Sequence, residues 1–400
     1  MKRPLANDRP LIERVTHIEI PEGRIKLRIA LLVIALIIAV GSFGYGINAL
    51  LTTEPGVMEI TVSDGGEMTC GDDFSFVYDL GAGETSATEE KKALTKLYSE
   101  SCIAAYRIFN AEAEYEDHKN LCYINAHVNE VIEVDPALYG ALMLLEDAGV
   151  RYHYLAPVYE LYRSLFLSEE PEAAEYDPYR NEVLKTFFAE AAAYAADPGA
   201  VSLEFLDGNM IVLHVSDAYL RFAEENDFDR FLDFFWLNNA FIIDYIADEL
   251  TAKGYVNGSL ISEDGFVRQL RDADEAVTAV PFLHRGEEGV FLLETLPLTG
   301  RISVVQLRDY PAESAELGYY FVREDGSCLP PYIDARSGLP KCALPELIAF
   351  SEDASCAKIA VEAAKIFIAE TFDEAALHAL SKDGIDAYYF GGGALRCTAE

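Results

Sequence analysis

An uncharged apolar segment, Ile29 to Leu51, constrains this chain more than any other feature of its sequence. At a helical rise of about 1.5 Å per residue, the segment is long enough to cross the hydrocarbon core of a bilayer. A segment in lipid must satisfy its own backbone hydrogen bonds, and its side chains are mostly Leu, Ile, Val and Ala. The sequence therefore predicts a transmembrane helix at residues 29–51.

The charges on either side of this segment set its orientation. Seven Lys and Arg residues precede it, whereas Glu54, Glu59 and Asp64 follow it and the next base is Lys91. By the positive-inside rule, residues 1–28 form a cytoplasmic tail and the rest of the chain lies outside the cytoplasm. A cleaved signal peptide fits less well, because no clear A-x-A site follows the segment. We expect a single-pass protein of the cell membrane with an extracellular domain.

The composition after the membrane segment describes one large acidic domain. Removing the tail's seven bases and four acids from the chain totals of 31 and 68 leaves 24 bases and 64 acids. Such a surface resists aggregation and lacks the basic footprint that phosphate backbones require, which excludes nucleic acid as a partner. We assign residues 52–65 to a linker and residues 66–400 to a single extracytoplasmic domain.

The seven cysteines all follow the membrane segment, and because their number is odd at least one is unpaired within the chain. None has C-x-x-C or zinc-site spacing. Cys102 and Cys356 fall in helical patterns that suit buried free thiols. Cys328 and Cys342 flank one turn, which leaves a disulfide between them open.

Hydrophobic periodicity predicts an α+β domain without internal repeats. Ser86 and Glu89 have capping-box spacing at the start of a helix that runs to Asn110, and residues 74–80 suit a strand. The glycine-rich residues 391–397 are predicted to be a flexible terminus. Further helices are predicted at Pro136–Ala148, Pro157–Phe166, Asn181–Ala196, Asp217–Glu225, Asn239–Lys253, Ala354–Glu370 and Glu374–Ser381. Further strands are predicted at Val201–Phe205, Met210–Val215, Gly258–Ile261, Gly289–Glu294, Ile302–Leu307, Tyr319–Arg323 and Ile385–Phe390.

Several segments, taken in chain order, resemble the motifs of one known family. LCYINAH at 121–127 and the V-D-P-x-L helix at 131–149 come first. Residues 231–266 resemble an I-D-L-G-G-I-A-K-G-Y-A-V-D run followed by a strand that ends in N-A-G-G-D. YIDARSGLP at 332–340 resembles H-I-x-D-P-x-T-G-x-P, and residues 351–370 resemble an A-D-A-x-A-T helix. This order is similar to that of the FAD:protein FMN transferases, the ApbE proteins, which are extracytoplasmic and held at the membrane.

The resemblance, which spans roughly residues 90 to 370, implies a T-fold-like α+β domain and an activity. ApbE proteins transfer FMN from FAD to a threonine of a client protein and release AMP, with a divalent cation at the pyrophosphate. It thus implies FAD and magnesium as cofactors and a flavoprotein client as partner. The cofactor-binding candidates that it implies are Asn239, Gly265, Asp334, Ser337 and Gly338.

The sequence departs from the family pattern at the ligand residues. The family's metal-binding Asp and Thr match Lys358 and Glu362, and a charged lysine cannot ligate a cation, so we assign no metal ligand. An i,i+4 ion pair is the ordinary role of such residues. The glycine–lysine turn is replaced by WLNNAFIIDY. The N-A-G-G-D turn carries Glu263 and Asp264, which favour a solvated loop over a cation site.

These departures leave two function classes open. One is an FMN transferase with impaired or altered catalysis that uses rearranged ligands. The other is a non-catalytic ApbE-like module that binds or scaffolds within a membrane-associated redox assembly and holds neither FAD nor magnesium. The aromatic stretch Arg151–Phe166 offers rings either to a flavin or, more ordinarily, to the core.

Overall fold

The computed structural model describes residues 53–399, except for residues 64, 84, 170, 272–276, 287–288 and 313–318. The described elements all belong to one compact unit, Glu54–Glu400. The predicted tail (1–28) and transmembrane helix (29–51) lie outside the described residues, so both stay predictions. None of the described helices is long and apolar enough to cross a membrane.

Most of the described helices begin where the sequence supplies a side-chain cap, and α4 and α7 begin without one. The described helices are α1 Ala87–Ile108, α2 Leu121–Ala126, α3 Pro136–Asp147, α4 Ala156–Leu167, α5 Glu182–Ala196, α6 Asp217–Asn226, α7 Asn238–Ala252, α8 Cys356–Phe367 and α9 Glu374–Leu380. Short 3-10 helices lie at Gly71–Asp73, Tyr152–Tyr154, Glu172–Glu175, Phe235–Leu237 and Ser381–Asp383. Ser86 accepts a hydrogen bond from the backbone N–H of Glu89, as its capping-box spacing predicts, and Ser355 caps α8 in the same way.

The strands build one main antiparallel sheet. They are β1 Gly56–Glu59, β2 Phe74–Leu80, β3 Val131–Glu133, β4 Val201–Leu206, β5 Met210–Val215, β6 Gly258–Ser262, β7 Phe266–Gln269, β8 Val277–Gly286, β9 Gly289–Thr299, β10 Ile302–Arg308, β11 Phe321–Val322, β12 Cys328–Leu329, β13 Glu346–Ser351, β14 Asp386–Gly391 and β15 Ala394–Cys397. Among the described residues, eight strands pair in the order β1-β2-β6-β7-β10-β13-β14-β15. The others form a three-stranded sheet β3-β5-β4 and the hairpins β8-β9 and β11-β12.

Both faces of the main sheet are covered, which the alternation along β10 shows. Val305 and Leu307 point to the main core, in which α1, α7 and α8 also bury their apolar faces. Ile302 and Val304 point to the opposite side, where they pack with Phe282 of the long β8-β9 hairpin. Because side chains alternate along a strand, one short sequence supplies both cores. The helices between α1 and α7 share the first core.

The structure confirms the α+β prediction and corrects some of its details. Residues 391–397 are not a flexible terminus, because they form the turn and second strand of the β14-β15 hairpin. Gly392 and Gly393 supply the positive φ angles, 61° and 84°, that a two-residue hairpin turn favours. The predicted strand Tyr319–Arg323 is shorter, since only Phe321 and Val322 pair. In this structure the seven cysteines are in the reduced form, including Cys328 and Cys342.

Candidate ligand-binding cleft

A cavity of about 330 Å³ lies at the N-terminus of α7, beside the β6-β7 turn and residues 331–332. Its volume is at the lower end of the range of small-molecule sites. Its wall is mostly aromatic, with rings from Phe166, Phe235, Trp236, Phe266, Tyr319, Tyr320 and Tyr332. Its charged side chains are Asp73, Arg163, Glu263, Asp264 and Arg308. We call this cavity the cleft.

One wall of the cleft contains a strained aromatic residue. Phe235 has a φ of 49°, in the left-handed region that bulky residues rarely occupy. The Asp233 carboxylate accepts a hydrogen bond from the Phe235 N–H at 2.8 Å. The same carboxylate accepts two hydrogen bonds from Arg163, at 2.7 and 3.0 Å, and the guanidinium lies 4.9 Å from the Phe235 ring centroid. Arg163 and buried Asp233 therefore neutralise each other and hold Phe235 in place.

Asp264 lies on the opposite wall and is not in the solvated loop that the sequence suggested. Its carboxylate accepts hydrogen bonds from Asn239 Nδ2, at 3.2 Å, and from Ser262 Oγ. Burial is the main reason that the pKa of Asp264 rises to about 8, and the neighbouring carboxylates Asp73 and Glu263 raise it further. A large fraction of Asp264 is therefore protonated at neutral pH.

The pKa of Asp73, an acid on the same wall of the cleft, is raised as well. Burial, followed by the charges of Glu263 and Asp72, raises the pKa of Asp73 above its ordinary value. No described base contributes to the pKa shift of either Asp73 or Asp264. Beyond burial, Asp73 and Glu263 thus raise the pKa of Asp264. Arg163 and Arg308 also line the cleft, but neither is among the causes that act on Asp73 or Asp264.

The turn at residues 332–340 begins at the cleft and leads away from it. The Tyr332 ring lies 5.2 Å from the rings of both Trp236 and Phe367, measured between centroids, so the turn, the entry to α7 and helix α8 meet here. Asp334 accepts hydrogen bonds from the Ser337 hydroxyl at 2.7 Å and the Arg336 N–H at 3.2 Å. Its hydrogen-bonding capacity is satisfied within the turn.

A buried carboxylate of α7, Asp244, binds the N-terminus of helix α8. Asp244 accepts hydrogen bonds from the backbone N–H groups of Cys356, at 3.0 Å, and Ala357, at 2.8 Å, which are orphan donors at a helix N-terminus. Lys358 and Glu362 form the expected i,i+4 ion pair at 2.9 Å. Neither residue lines the cleft. The described residues contain no group of three or more His, Cys, Asp or Glu able to hold a metal ion.

The structure divides the five residues predicted to bind a cofactor into two places. Asn239 lines the cleft, and Gly265 directly follows Asp264. Gly265 has a φ of 99°, and a Cβ there would lie 2.6 Å from the carbonyl oxygen of Gln306. The other three, Asp334, Ser337 and Gly338, belong to the turn, where Asp334 borders a separate cavity of about 650 Å³.

Sequence reasoning missed three residues that shape the cleft, Asp73, Arg163 and Phe235. Asp73 precedes a correctly predicted strand, but nothing in the local pattern shows that this acid faces a cavity. Arg163 lies in a helix that was correctly interpreted as core, since Tyr159 and Tyr162 are buried. Phe235 stands in a run of apolar residues that gives no signal of its positive φ. All three depend on contacts between segments that are distant in sequence.

Comparison with known proteins gives a match in structure alone. No protein-family model and no curated protein matches the sequence. The fold is similar to that of the ApbE protein of Thermotoga maritima, with a TM-score of 0.56, 15% identity, and coverage of 86% of this chain and 96% of that chain. The flavinyl transferase ApbE of Pseudomonas stutzeri matches with a TM-score of 0.54 and 13% identity, over 86% of this chain and 94% of that chain. The flavin transferase ApbE of Vibrio cholerae matches with a TM-score of 0.53 and 12% identity, over 86% of this chain and 97% of that chain.

These similarities extend over nearly the whole of each matched structure, so the chain has the fold of the ApbE flavin transferases. The resemblance noted in the sequence is confirmed at the level of the fold. At identities of 11% to 15%, the shared fold does not by itself carry over an activity.

Proposed function

We propose that this protein is a membrane-anchored, extracytoplasmic protein of the ApbE fold in which the transfer of FMN from FAD to a client threonine is impaired. In this proposal the N-terminus is cytoplasmic, the domain lies outside the cell membrane, and the cleft serves ligand binding. The observation that carries it is the group of unpaired acids on the cleft wall, where the sequence resembles the family's N-A-G-G-D turn.

The electrostatics of this wall oppose a pyrophosphate. Two like charges 4 Å apart repel by about 4 kcal/mol at an effective dielectric constant of about 20. A flavin dinucleotide brings about two negative charges towards Asp73, Glu263 and the fraction of Asp264 that is ionised. Arg163 does not offset them, because Asp233 already binds its guanidinium through two hydrogen bonds.

The residues at the family's metal positions do not fit a divalent cation either. The Lys358 ammonium has no lone pair to donate and is held by Glu362, which also binds Lys365 at 2.7 Å. Magnesium assists phosphoryl transfer by neutralising charge on the pyrophosphate oxygens. The one carboxylate on this helix face, Glu362, is bound by two lysine ammonium groups, which oppose a cation there. The described residues therefore do not provide the family's FAD–magnesium arrangement.

The direct test uses the full chain in detergent with FAD, magnesium and a threonine-bearing acceptor peptide. We expect weak or no FAD binding and no release of AMP, as measured by calorimetry and by chromatography of nucleotides. Tight magnesium-dependent FAD binding with AMP release, lost in Asp334→Ala, would overturn the proposal and restore the transferase function.

A double variant tests whether the scaffold is intact. In Lys358→Asp/Glu362→Thr, the family's oxygen ligands return to the same face of α8, one turn apart. A gain of magnesium-dependent FAD binding in this variant supports a retained scaffold with a lost metal site. The matched control is Lys382→Asp, which adds a carboxylate at an exposed position outside α8.

The topology is tested separately. Protease added to intact cells is expected to remove the domain and to spare residues 1–28, because the positive-inside rule places only the tail in the cytoplasm. Protection of the domain in intact cells, with cleavage after lysis, would contradict the extracytoplasmic location.

A further inference from the structure

Two cysteine side chains lie next to each other in the main core. Cys70 immediately precedes the 3-10 helix Gly71–Asp73, and Cys102 lies in the second half of α1. The Cys70 thiol donates a hydrogen bond to the carbonyl oxygen of Cys102 at 3.2 Å, and the Cys102 side chain raises the pKa of the Cys70 thiol. Their relative exposures are 3% and 0%, so both sulfurs are shielded from solvent in the folded domain.

This contact distinguishes the pair from the other cysteines. Cys356 donates to the carbonyl oxygen of Val267, at 3.3 Å, and not to a thiol. Burial is the main cause that raises the pKa of the Cys342 thiol, and Cys328 raises it further through charge alone. Among the hydrogen bonds of the described residues, that of the Cys70 thiol is thus the one that joins two cysteines.

We propose that Cys70 and Cys102 form a disulfide in the exported protein. The inference rests on the extracytoplasmic location in the proposed function, because disulfides persist in oxidising compartments. The two thiols lose two protons and two electrons as the Sγ–Sγ bond forms. The electrons reduce one disulfide of an exchange donor to two thiols.

The bond forms while the chain folds. In the folded core, the hydrogen bond with the Cys102 thiol and burial together raise the pKa of the Cys70 thiol well above its usual value. Since the thiolate is the species that attacks a disulfide, exchange takes place before α1 covers the pair.

The bridge joins the segment just before the 3-10 helix Gly71–Asp73 to α1, the longest described helix. It closes a loop that contains β2 and much of α1, and such a loop restricts the unfolded chain. Asp73 lies three residues after Cys70 and lines the cleft, so the bridge also fixes one of the unpaired acids relative to α1.

Thiol counting tests the proposal on the full chain, extracted from membranes without reductant and alkylated in denaturant. Of the seven cysteines, five are expected to be alkylated before reduction and all seven after it. Peptide mapping by mass spectrometry is expected to find Cys70 and Cys102 in one linked peptide pair. A bridge that joins other cysteines would overturn the assignment.

A second measurement separates this inference from the proposed location. The reduced full chain is partly unfolded in denaturant, returned to native buffer with glutathione disulfide, and mapped again. If the membrane-extracted protein has seven free thiols but the bridge forms here, the geometry is right and the extracytoplasmic location is wrong. If no Cys70–Cys102 bond forms under these conditions, the disulfide proposal is overturned.

Stability gives a readout that does not depend on mapping. Reductant is expected to lower the melting temperature of the native protein by several degrees, since closing a loop of about 30 residues stabilises a fold appreciably. Cys122→Ser, which leaves the pair intact, is the matched control and is expected to respond like the native protein. Cys70→Ser and Cys102→Ser are expected to melt at the same temperature with and without reductant.

Discussion

The turn at residues 332–340 and the wall of the cleft each present a carboxylate, and the two behave in opposite ways. Burial opposes ionisation of Asp334, but hydrogen bonds from Ser337, Arg336 and Lys341 outweigh it and hold the pKa of Asp334 below its ordinary value. Asp264 has no basic partner, and burial raises its pKa to about 8. The structure stabilises Asp334 as an anion and Asp264 as a neutral acid.

This difference separates residues that build the fold from residues that face a ligand. The turn keeps the Asp, Ser and Gly of the family motif, and in this structure those three residues satisfy one another locally. The cleft wall has lost the motif's glycines and gained acids that the protein does not pair. Buried groups left without counter-charge are typical of functional sites, where they await a ligand. We therefore expect substitutions in the turn to change stability and those in the cleft wall to change pH dependence.

The largest effect is expected from Gly338→Ala in the turn. Gly338 has a φ of 67°, and a Cβ there would lie 2.4 Å from the carbonyl oxygen of Phe188. The left-handed backbone and the overlap together are expected to cost about 3 kcal/mol in the free energy of unfolding, measured with a denaturant. Gly326→Ala is the control, because its φ of 79° is similar but nothing lies within 4 Å, and it is expected to cost about 1 kcal/mol. Equal costs would show that Phe188 yields without penalty.

The next effect concerns Asp264 and pH. Because its folded pKa is raised, the protonated carboxyl stabilises the fold fully below its unfolded pKa of about 4, and this contribution is lost as the pH rises through about 8. We expect the free energy of unfolding to fall by roughly 2 kcal/mol between pH 5 and pH 8. This is about half of the largest change that one proton can cause over that range, since Asp264 keeps some contact with solvent.

Asp264→Asn is expected to remove this slope, because the amide stays neutral at every pH. Asp207→Asn, on an exposed turn, is the matched control and should leave the slope unchanged. The measurement is denaturant unfolding at several pH values. If Asp264→Asn and the native protein lost stability in parallel between pH 5 and pH 8, the raised pKa of Asp264 would be wrong.

The sequence predicted the elements that depend on local signals better than those that depend on contacts between distant segments. The helix that Ser86 caps and the strand at residues 74–80 depend on local signals, a capping box and a run of strand-forming residues, and both were predicted closely. Strand β13, at Glu346–Ser351, was missed because its short apolar run resembles a buried segment of any kind. Strand β14 was predicted, at Ile385–Phe390, but the turn and strand β15 that follow were missed, because three successive glycines suit either a tight turn or a disordered end.

The cleft could be predicted only in part, for a physical reason. The resemblance located Asn239 and Gly265, which lie close to Asp264 in the structure. It did not show that Asp264 is half-buried, because that burial comes from packing against segments far away in sequence, including Tyr319. Two adjacent acids before a glycine look the same in a solvated loop and in a cavity wall. The five candidates stay predictions as ligand residues until binding is measured.

A smaller effect is expected from Asp334→Ala in the turn. Lys341 loses a partner at 3.1 Å but keeps Glu370 at 2.8 Å, so we expect a cost of about 1 kcal/mol at neutral pH. Since the folded pKa of Asp334 is lowered, its contribution is present above the unfolded pKa and is lost as the pH falls through the folded value. The difference between the variant and the native protein should therefore shrink below about pH 4. A difference that grows towards acid would contradict the lowered pKa.

The smallest effect is expected from Lys358→Ala, at a position that matches a metal ligand of the family. Lys358 is 42% exposed, and its ion pair with Glu362 is one of two, because Lys365 holds the same carboxylate. Exposed helical pairs contribute about 0.3 to 0.5 kcal/mol and are screened by salt, so the change in the free energy of unfolding should not exceed about 0.5 kcal/mol and should vanish at high salt. Lys365→Ala is the matched control and is expected to behave alike. A cost of more than about 1 kcal/mol for Lys358→Ala alone, or a change in the pH slope assigned to Asp264, would show that Lys358 is coupled to the cleft. The separation between residues that build the fold and residues that face a ligand would then not hold at helix α8.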